Sequence, residues 1–229
     1  MLSESEIDAY RIRLLELAER EREDGSARVH TDDHGQLVRW LVNKGEMFER
    51  LVAHPKMVPF FEYLLGDDYT LSTLTSNIIS PGAPDGAYHR DHAVGRMSGV
   101  VPFPMVANSL WLLEDFSPEN GGTRLVPGSH RFSEGPQPEC SSHPDEIRIE
   151  APKGSVFLFN GAVWHSAGAN RTDRARIALI CFCCRSFLKQ MFDFVHHLKP
   201  EVVARATPEM RRIYGFDSQP LPPDKPTKV

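Results

Sequence analysis

A mainly β, jelly-roll core with helices at both ends is the architecture this sequence predicts, on three observations. The opening stretch has helical apolar periodicity, the middle carries short alternating runs between turn signals, and helical spacing returns after Leu188. Helices first and strands second place the helices outside a β core. The expected division is one domain over residues 1–217, with a helical part at 1–66, a β core at 69–186 and a C-terminal helical part at 187–217. A flexible proline-rich tail, residues 218–229, follows.

The 229 residues, 41% hydrophobic and 25% charged, suit one domain with an ample buried core. A formal charge of -5 leaves no basic footprint for nucleic acid. No apolar run reaches the length of a membrane span, so neither nucleic acid nor membrane is an expected partner. The polar, acidic start MLSESEIDAY resembles neither a signal nor a transit peptide, and the expected compartment is the cytoplasm.

In chain order, Ser3 caps a helix running to about Glu23, with Glu4 and Glu6 at its positive end and Ile7, Tyr10, Leu14, Leu15 and Leu17 as its apolar stripe. Helical patterning resumes from about Gln36 to Leu65, and Gly66-Asp67-Asp68 stops it. The strand signals follow: TLSTLTSNII, NSLWLLED, GTRLVP, EIRIEAP, SVFLFN and ARIALICFCC. Three of the four cysteines fall in the last run. Cys181 and Cys184 form a CxxC, but residues three apart on a strand point to opposite faces, so buried free thiols are expected.

The chemistry concentrates in His89, Asp91 and His165. On an extended strand His89 and Asp91 share a face, while Arg90 and His92 point away. His165 ends a buried-strand pattern, SVFLFNGAVWH, and burying an imidazole without a partner is costly. Two imidazoles and one carboxylate on one side of a metal form the donor set of non-haem Fe(II) oxygenases. Arg176 adds to this. A hairpin folding symmetrically about Asn170 and Arg171 sets it opposite His165, with Cβ atoms about 5 Å apart. A guanidinium beside a metal suits a dicarboxylate cosubstrate, one end chelating the ion and the other pairing with arginine.

HPKMVPFFEYLLGDDYTL, NIISPGAPDGAYHRD, ENGGTRLVPGSH and FLFNGAVWHSAGANRTDRARIAL follow one another in order. Together they resemble the phytanoyl-CoA dioxygenase family of Fe(II)/2-oxoglutarate oxygenases, from Leu51 to Cys184. The resemblance implies a double-stranded β-helix, the cupin-like jelly roll. It also implies Fe(II), with 2-oxoglutarate and O2 as cosubstrates. By similarity His89, Asp91 and His165 would be the catalytic metal ligands, and Arg176 the partner of the distal 2-oxoglutarate carboxylate. Thr123 would support that carboxylate. Asn108 and Trp111, on the preceding strand, either face the cosubstrate pocket or pack. His130, in PGSH, reads as structural.

Two departures stand out. Gly86 occupies the place where some members carry a glutamine, and a strand before the first helix is missing. The resemblance further implies hydroxylation or a related oxidation of a small molecule, since Asp91 fills the position that related halogenases leave open. The alternatives are a non-catalytic jelly-roll binding protein and a zinc enzyme using the same three ligands with bound hydroxide, for which Arg176 has no use. Arg96, Arg124 and Arg131 are the cations expected near the mouth, and the apolar 90–105 loop is a candidate lid. Phe192, Phe194, Val195 and Leu198 suit a mouth cover, a homodimer interface or a core helix equally.

Overall fold

The computed structural model describes residues 1–29, 34–91 and 99–219. Helix α1, Glu4–Glu23, begins as its sequence dictates. Ser3 Oγ accepts the Glu6 N–H while the Glu6 carboxylate accepts the Ser3 N–H, a capping box that satisfies two otherwise unpaired donors. Ile7, Tyr10, Leu14, Leu17 and Ala18 are its buried stripe; Leu15 lies outside it, exposed.

The expected helix from Gln36 does not form there. Strand β1 (Arg28–Val29) pairs with β2 (Gly35–Leu37), and β2 pairs with Ile78 and Ile79 of β3 (Thr70–Ile79). Gln36 is buried, its Nε2 donating to Ala18 O, so pairing at the sheet edge overrides the helical pattern. Helix returns in short pieces, α2 (Glu46–Glu49) and α3 (Val58–Leu65).

The remaining strands are β4 (Val106–Leu112), β5 (Arg124–Val126), β6 (Ile147–Arg148), β7 (Val156–Asn160), β8 (Trp164–Ser166) and β9 (Arg176–Cys184). Among the described residues they form a six-stranded sheet ordered β1-β2-β3-β9-β4-β7 and a three-stranded sheet ordered β6-β5-β8. An isolated bridge joins His89 to His165, each N–H reaching the other carbonyl at 3.1 Å, so the chain around His89 lengthens the small sheet beside β8. The crossovers between two antiparallel sheets make the fold a jelly roll.

Alternation along β9 and β4 divides the interior. Ile177, Leu179, Cys181 and Cys183, with Ala107 and Trp111, face the helices; Ala178, Leu110 and Leu112 face inward with Phe116 and Phe159. Cys184 packs with Phe182 and Met105, on the face opposite Cys181, and all four cysteines are free thiols. The C-terminal helices, Phe194–His197, Pro200–Arg205 and Pro208–Ile213, close the outer core. Phe192, Phe194 and Leu198 are buried in it, with Phe192 stacked on Trp40 at 4.5 Å, so they serve the core and neither the mouth nor a dimer face. No helix among the described residues is long and apolar enough to cross a membrane.

Two sequence expectations about strand pairing fail. SVFLFNGAVWH is not one strand: the Asn160 side chain accepts the Ala162 N–H and its carbonyl accepts the Val163 N–H, a turn that moves the chain from the large sheet to the small one. Consequently β8 and β9 are not a hairpin. His165 pairs with Leu125 and His89, whereas Arg176 pairs with Ile79. The symmetric register about Asn170 is excluded because Asn170 itself bridges Asn120 and anchors Ile79 O and Arg174 O through its Nδ2.

Candidate active site

Between the sheets lies a cavity of about 140 Å³, which His89, Asp91, Asn108, Thr123, His165 and Arg176 help to line. One ligand atom each from His89, Asp91 and His165 falls within 4.8 Å of the others, His165 Nε2 standing 3.6 Å from Asp91 Oδ1. Both histidines lean their Nδ1 on the carbonyl two residues earlier: His165 on Val163 O at 2.8 Å, His89 on Ala87 O at 3.5 Å. Donating from Nδ1 leaves the Nε2 lone pair for a metal.

The electrostatics are those of a cation site. Burial pushes the His165 imidazole down to about 4. His89 is lowered too, by loss of surrounding water and then by His165, even though the residue as a whole is exposed. Burial raises Asp91, against the opposing pull of His89 and the Asn108 hydrogen bond. Neutral imidazoles beside a carboxylate are ready donors for a divalent ion, and this triad can hold a metal.

Arg176 enters from the large sheet, 1% exposed. Its Nε donates to Gly121 O at 3.0 Å and its guanidinium lies over the Phe116 ring at 4.7 Å. Both terminal nitrogens are buried without a partner. Burial alone lowers this group to about 9, so the cavity contains a cation lacking its anion. Thr123 is buried on the wall of the same cavity. The residues present therefore fit both a metal and a carboxylate-bearing ligand.

Other expectations fare differently. Trp111 is not in the cavity. Three residues beyond the inward-facing Asn108, it occupies the opposite face of β4, fully buried against the helices with its ring edge-on to His54 and its indole N–H on Ser109 Oγ. Asn108 does face inward, but its Nδ2 bonds Asp91 Oδ2. Arg124 is not at the mouth either. It is 1% exposed, donating to Gly86 O, Ser166 Oγ, Ser141 O and Glu146, and stacked over Tyr88. Arg131 is exposed, and Arg96, with the rest of residues 92–98 of the candidate lid, lies outside the described residues. In the PGSH turn Ser129 Oγ donates to Val126 O and accepts the Trp164 N–H, steadying the strand that presents His165. Sequence reasoning missed Phe159, whose ring meets His165 edge-on at 4.7 Å, and Ser166 and Asn77 on the wall. Alternation along β3 was the available signal for Asn77; Ser166, next to His165 on the same strand, had none.

The family model for phytanoyl-CoA dioxygenase matches residues 1–178. This chain belongs to the phytanoyl-CoA dioxygenase family. That family depends on Fe(II), 2-oxoglutarate and O2. Its curated relatives include the dioxygenase af480 of Aspergillus fumigatus, 25% identical over 171 residues, covering 72% of this chain and 54% of that one. The dioxygenase andF of Emericella variicolor is 29% identical over 175 residues, covering 72% and 59% respectively. The chain thus spans little more than half the length of these fungal dioxygenases. An uncharacterised protein of Mycobacterium tuberculosis is 26% identical over 242 residues, covering 98% of this chain and 86% of the relative. Among solved structures, HygX of Streptomyces hygroscopicus, with nickel, 2-oxoglutarate and hygromycin B bound, shares the fold at a TM-score of 0.64. Its identity is 17% and 82% of each chain is covered. The epimerase SnoN from nogalamycin biosynthesis shares it at 0.60, with 22% identity, covering 81% of this chain and 75% of that one.

Proposed function

We propose that this protein is an Fe(II)/2-oxoglutarate-dependent dioxygenase that hydroxylates an aliphatic C–H of a small molecule, with decarboxylation of 2-oxoglutarate to succinate. The observation that carries the reading is the buried Arg176 guanidinium, unpaired at both terminal nitrogens, in one cavity with His89, Asp91 and His165. When bound, iron and 2-oxoglutarate together supply from O2 an oxidant able to remove hydrogen from unactivated carbon.

The chain's own residues bind, orient and exclude water. His89, Asp91 and His165 would hold the metal on one side and leave the other open. Arg176, with Thr123 beside it, would take the distal carboxylate in a bidentate pair. Leu110, Ile180, Phe159 and Ala167 give the wall an apolar part, which would keep competing water from the reacting carbon. Asp91 occupies the position a halide would need, which favours oxygen insertion over halogenation. That HygX was solved with hygromycin B, and that SnoN is an epimerase, makes the substrate's fate the quantity to measure.

The test is anaerobic titration of the protein with Fe(II) and 2-oxoglutarate, followed by the weak visible charge-transfer band. The band is expected in wild type and lost in His165→Ala and Arg176→Ala. A folded, metal-bound wild type that never shows it would overturn the reading. Product analysis then separates hydroxylation, a gain of one oxygen atom, from epimerisation, which leaves the mass unchanged.

A further inference from the structure

The Asp91 carboxylate is confined from two sides, and both bear on which oxygen a metal would meet. From β4, Asn108 Nδ2 donates to Asp91 Oδ2 at 2.6 Å, leaving Oδ1 toward His165 Nε2. On the other side stands Gly161, in the turn after β7. Its N–H donates to Val106 O at 3.0 Å and its carbonyl accepts the Asp91 N–H at 2.9 Å, so its backbone fixes where the aspartate enters the site.

Nothing in the backbone demands glycine there, since Gly161 is not among the residues with positive φ. Space does demand it. A Cβ would stand 2.2 Å from Asp91 Oδ2, 2.6 Å from Val106 Cγ2 and 3.0 Å from Asp91 Cβ. The β-branched valine inside the sheet is not free to move aside, and the aspartate backbone is tied through its own N–H. Alanine at this position must therefore displace the Asp91 carboxylate.

We propose that Asn108 and Gly161 are positioning residues for the metal-binding aspartate: Asn108 engages Oδ2, Gly161 leaves it room, and Asp91 offers Oδ1 alone to the metal. The proposal rests on the oxygenase reading above and deepens it. A carboxylate with one oxygen engaged would offer a metal a single donor atom, which would leave room for a chelating cosubstrate. It also moves Asn108 from a cosubstrate contact to a partner of the ligand itself, as hydrogen-bonded outer partners commonly are for ligating carboxylates.

The experiment is titration with Mn(II), read by loss of the free-ion EPR signal, with neither cosubstrate nor turnover. Asn108→Leu, which keeps the volume and removes the donor, is expected to raise the Mn(II) Kd roughly 10–100-fold while the melting temperature stays near that of wild type. Gly161→Ala is expected to weaken Mn(II) as well; Asn108→Leu decides the matter should the alanine variant not fold. An Asn108→Leu protein with unchanged Mn(II) affinity and only weakened 2-oxoglutarate binding would return Asn108 to the cosubstrate and overturn the proposal. So would a crystal structure of the Mn(II)-loaded protein with both Asp91 oxygens on the ion. A wild-type chain that binds no Mn(II) would instead overturn the oxygenase reading, so the two failures are distinguishable.

Discussion

Replacing Arg176 with methionine separates the cost of holding a buried cation from the use it serves. Burial takes the guanidinium from its ordinary value down to about 9, which at about 1.4 kcal/mol per unit is a penalty of roughly 5 kcal/mol. The bond to Gly121 O offsets roughly 1.5–3 kcal/mol of this. The Phe116 face offsets roughly 2 kcal/mol more. The terms nearly cancel, so Arg176→Met without ligands should melt close to wild type. The ligand-linked part should differ. Truncating one side of a buried charge pair costs roughly 2–5 kcal/mol, at least about 30-fold in Kd. At 2-oxoglutarate near 100 times the wild-type Kd, the Mn(II)-loaded wild type should gain about 2.7 kcal/mol, and the variant less than about 1 kcal/mol. For a chain of this length that is a rise of about 5–10 °C against about 3 °C or less. Differential scanning fluorimetry with and without 2-oxoglutarate reads it directly. Equal shifts in both proteins would refute the assignment of Arg176, and a large loss of stability in the ligand-free variant would refute the cancellation.

Three further outcomes follow from the packing. Trp111→Phe should leave 2-oxoglutarate affinity unchanged, and Trp111→Ala should cost roughly 3–5 kcal/mol in urea unfolding, as a residue wholly within the outer core requires. Arg124→Met should destabilise by roughly 1–3 kcal/mol, because the Gly86 and Ser141 carbonyls lose their donor while Asp85 and Glu146 keep only Arg148 as counter-charge; unchanged stability would deny it a clasping role. Burial raises the Tyr10 hydroxyl to about 12, and it donates to Met47 O. The folded chain therefore keeps a proton that the unfolded chain gives up near pH 10. Its contribution is complete below that pH and is lost, at roughly 1.4 kcal/mol per unit, as pH rises toward 12. Tyr10→Phe should flatten the fall in urea midpoint between about pH 9 and pH 11.

Local chemistry was legible in the sequence and long-range pairing was not. The Ser3 capping box, the β3 and β9 strands and the shared face of His89 and Asp91 each depend on residues a few positions apart. Arg176 reached the cavity although the hairpin register proposed for it is wrong, because inward alternation along β9 is enough, whichever strand lies alongside. Trp111 failed on the parity rule that separated Cys181 from Cys184: Asn108 and Trp111 are three apart and cannot share a face. The Asn108 bond to Asp91 had no sequence signal, as it joins residues of facing sheets. The β7–β8 break was written in Asn160-Gly161, but only the packing of Gly161 on Asp91 shows why the chain must turn there.

The division of the site between sheets has a physical consequence of its own. The three metal donors belong to the small sheet and its His89 extension, while Arg176 and Asn108 belong to the large one. Facing sheets pack about 10 Å apart, a gap that a short dicarboxylate can cross between a metal and a guanidinium. A ligand so held would tie the two sheets together across the cavity, where among the described residues no strand of one sheet pairs with a strand of the other. Protection from hydrogen exchange on adding Mn(II) and 2-oxoglutarate should therefore spread to both β8 and β9, and in Arg176→Met it should be confined to the small sheet. Protection of β9 that survives the loss of Arg176 would mean that the cosubstrate is held from one sheet alone.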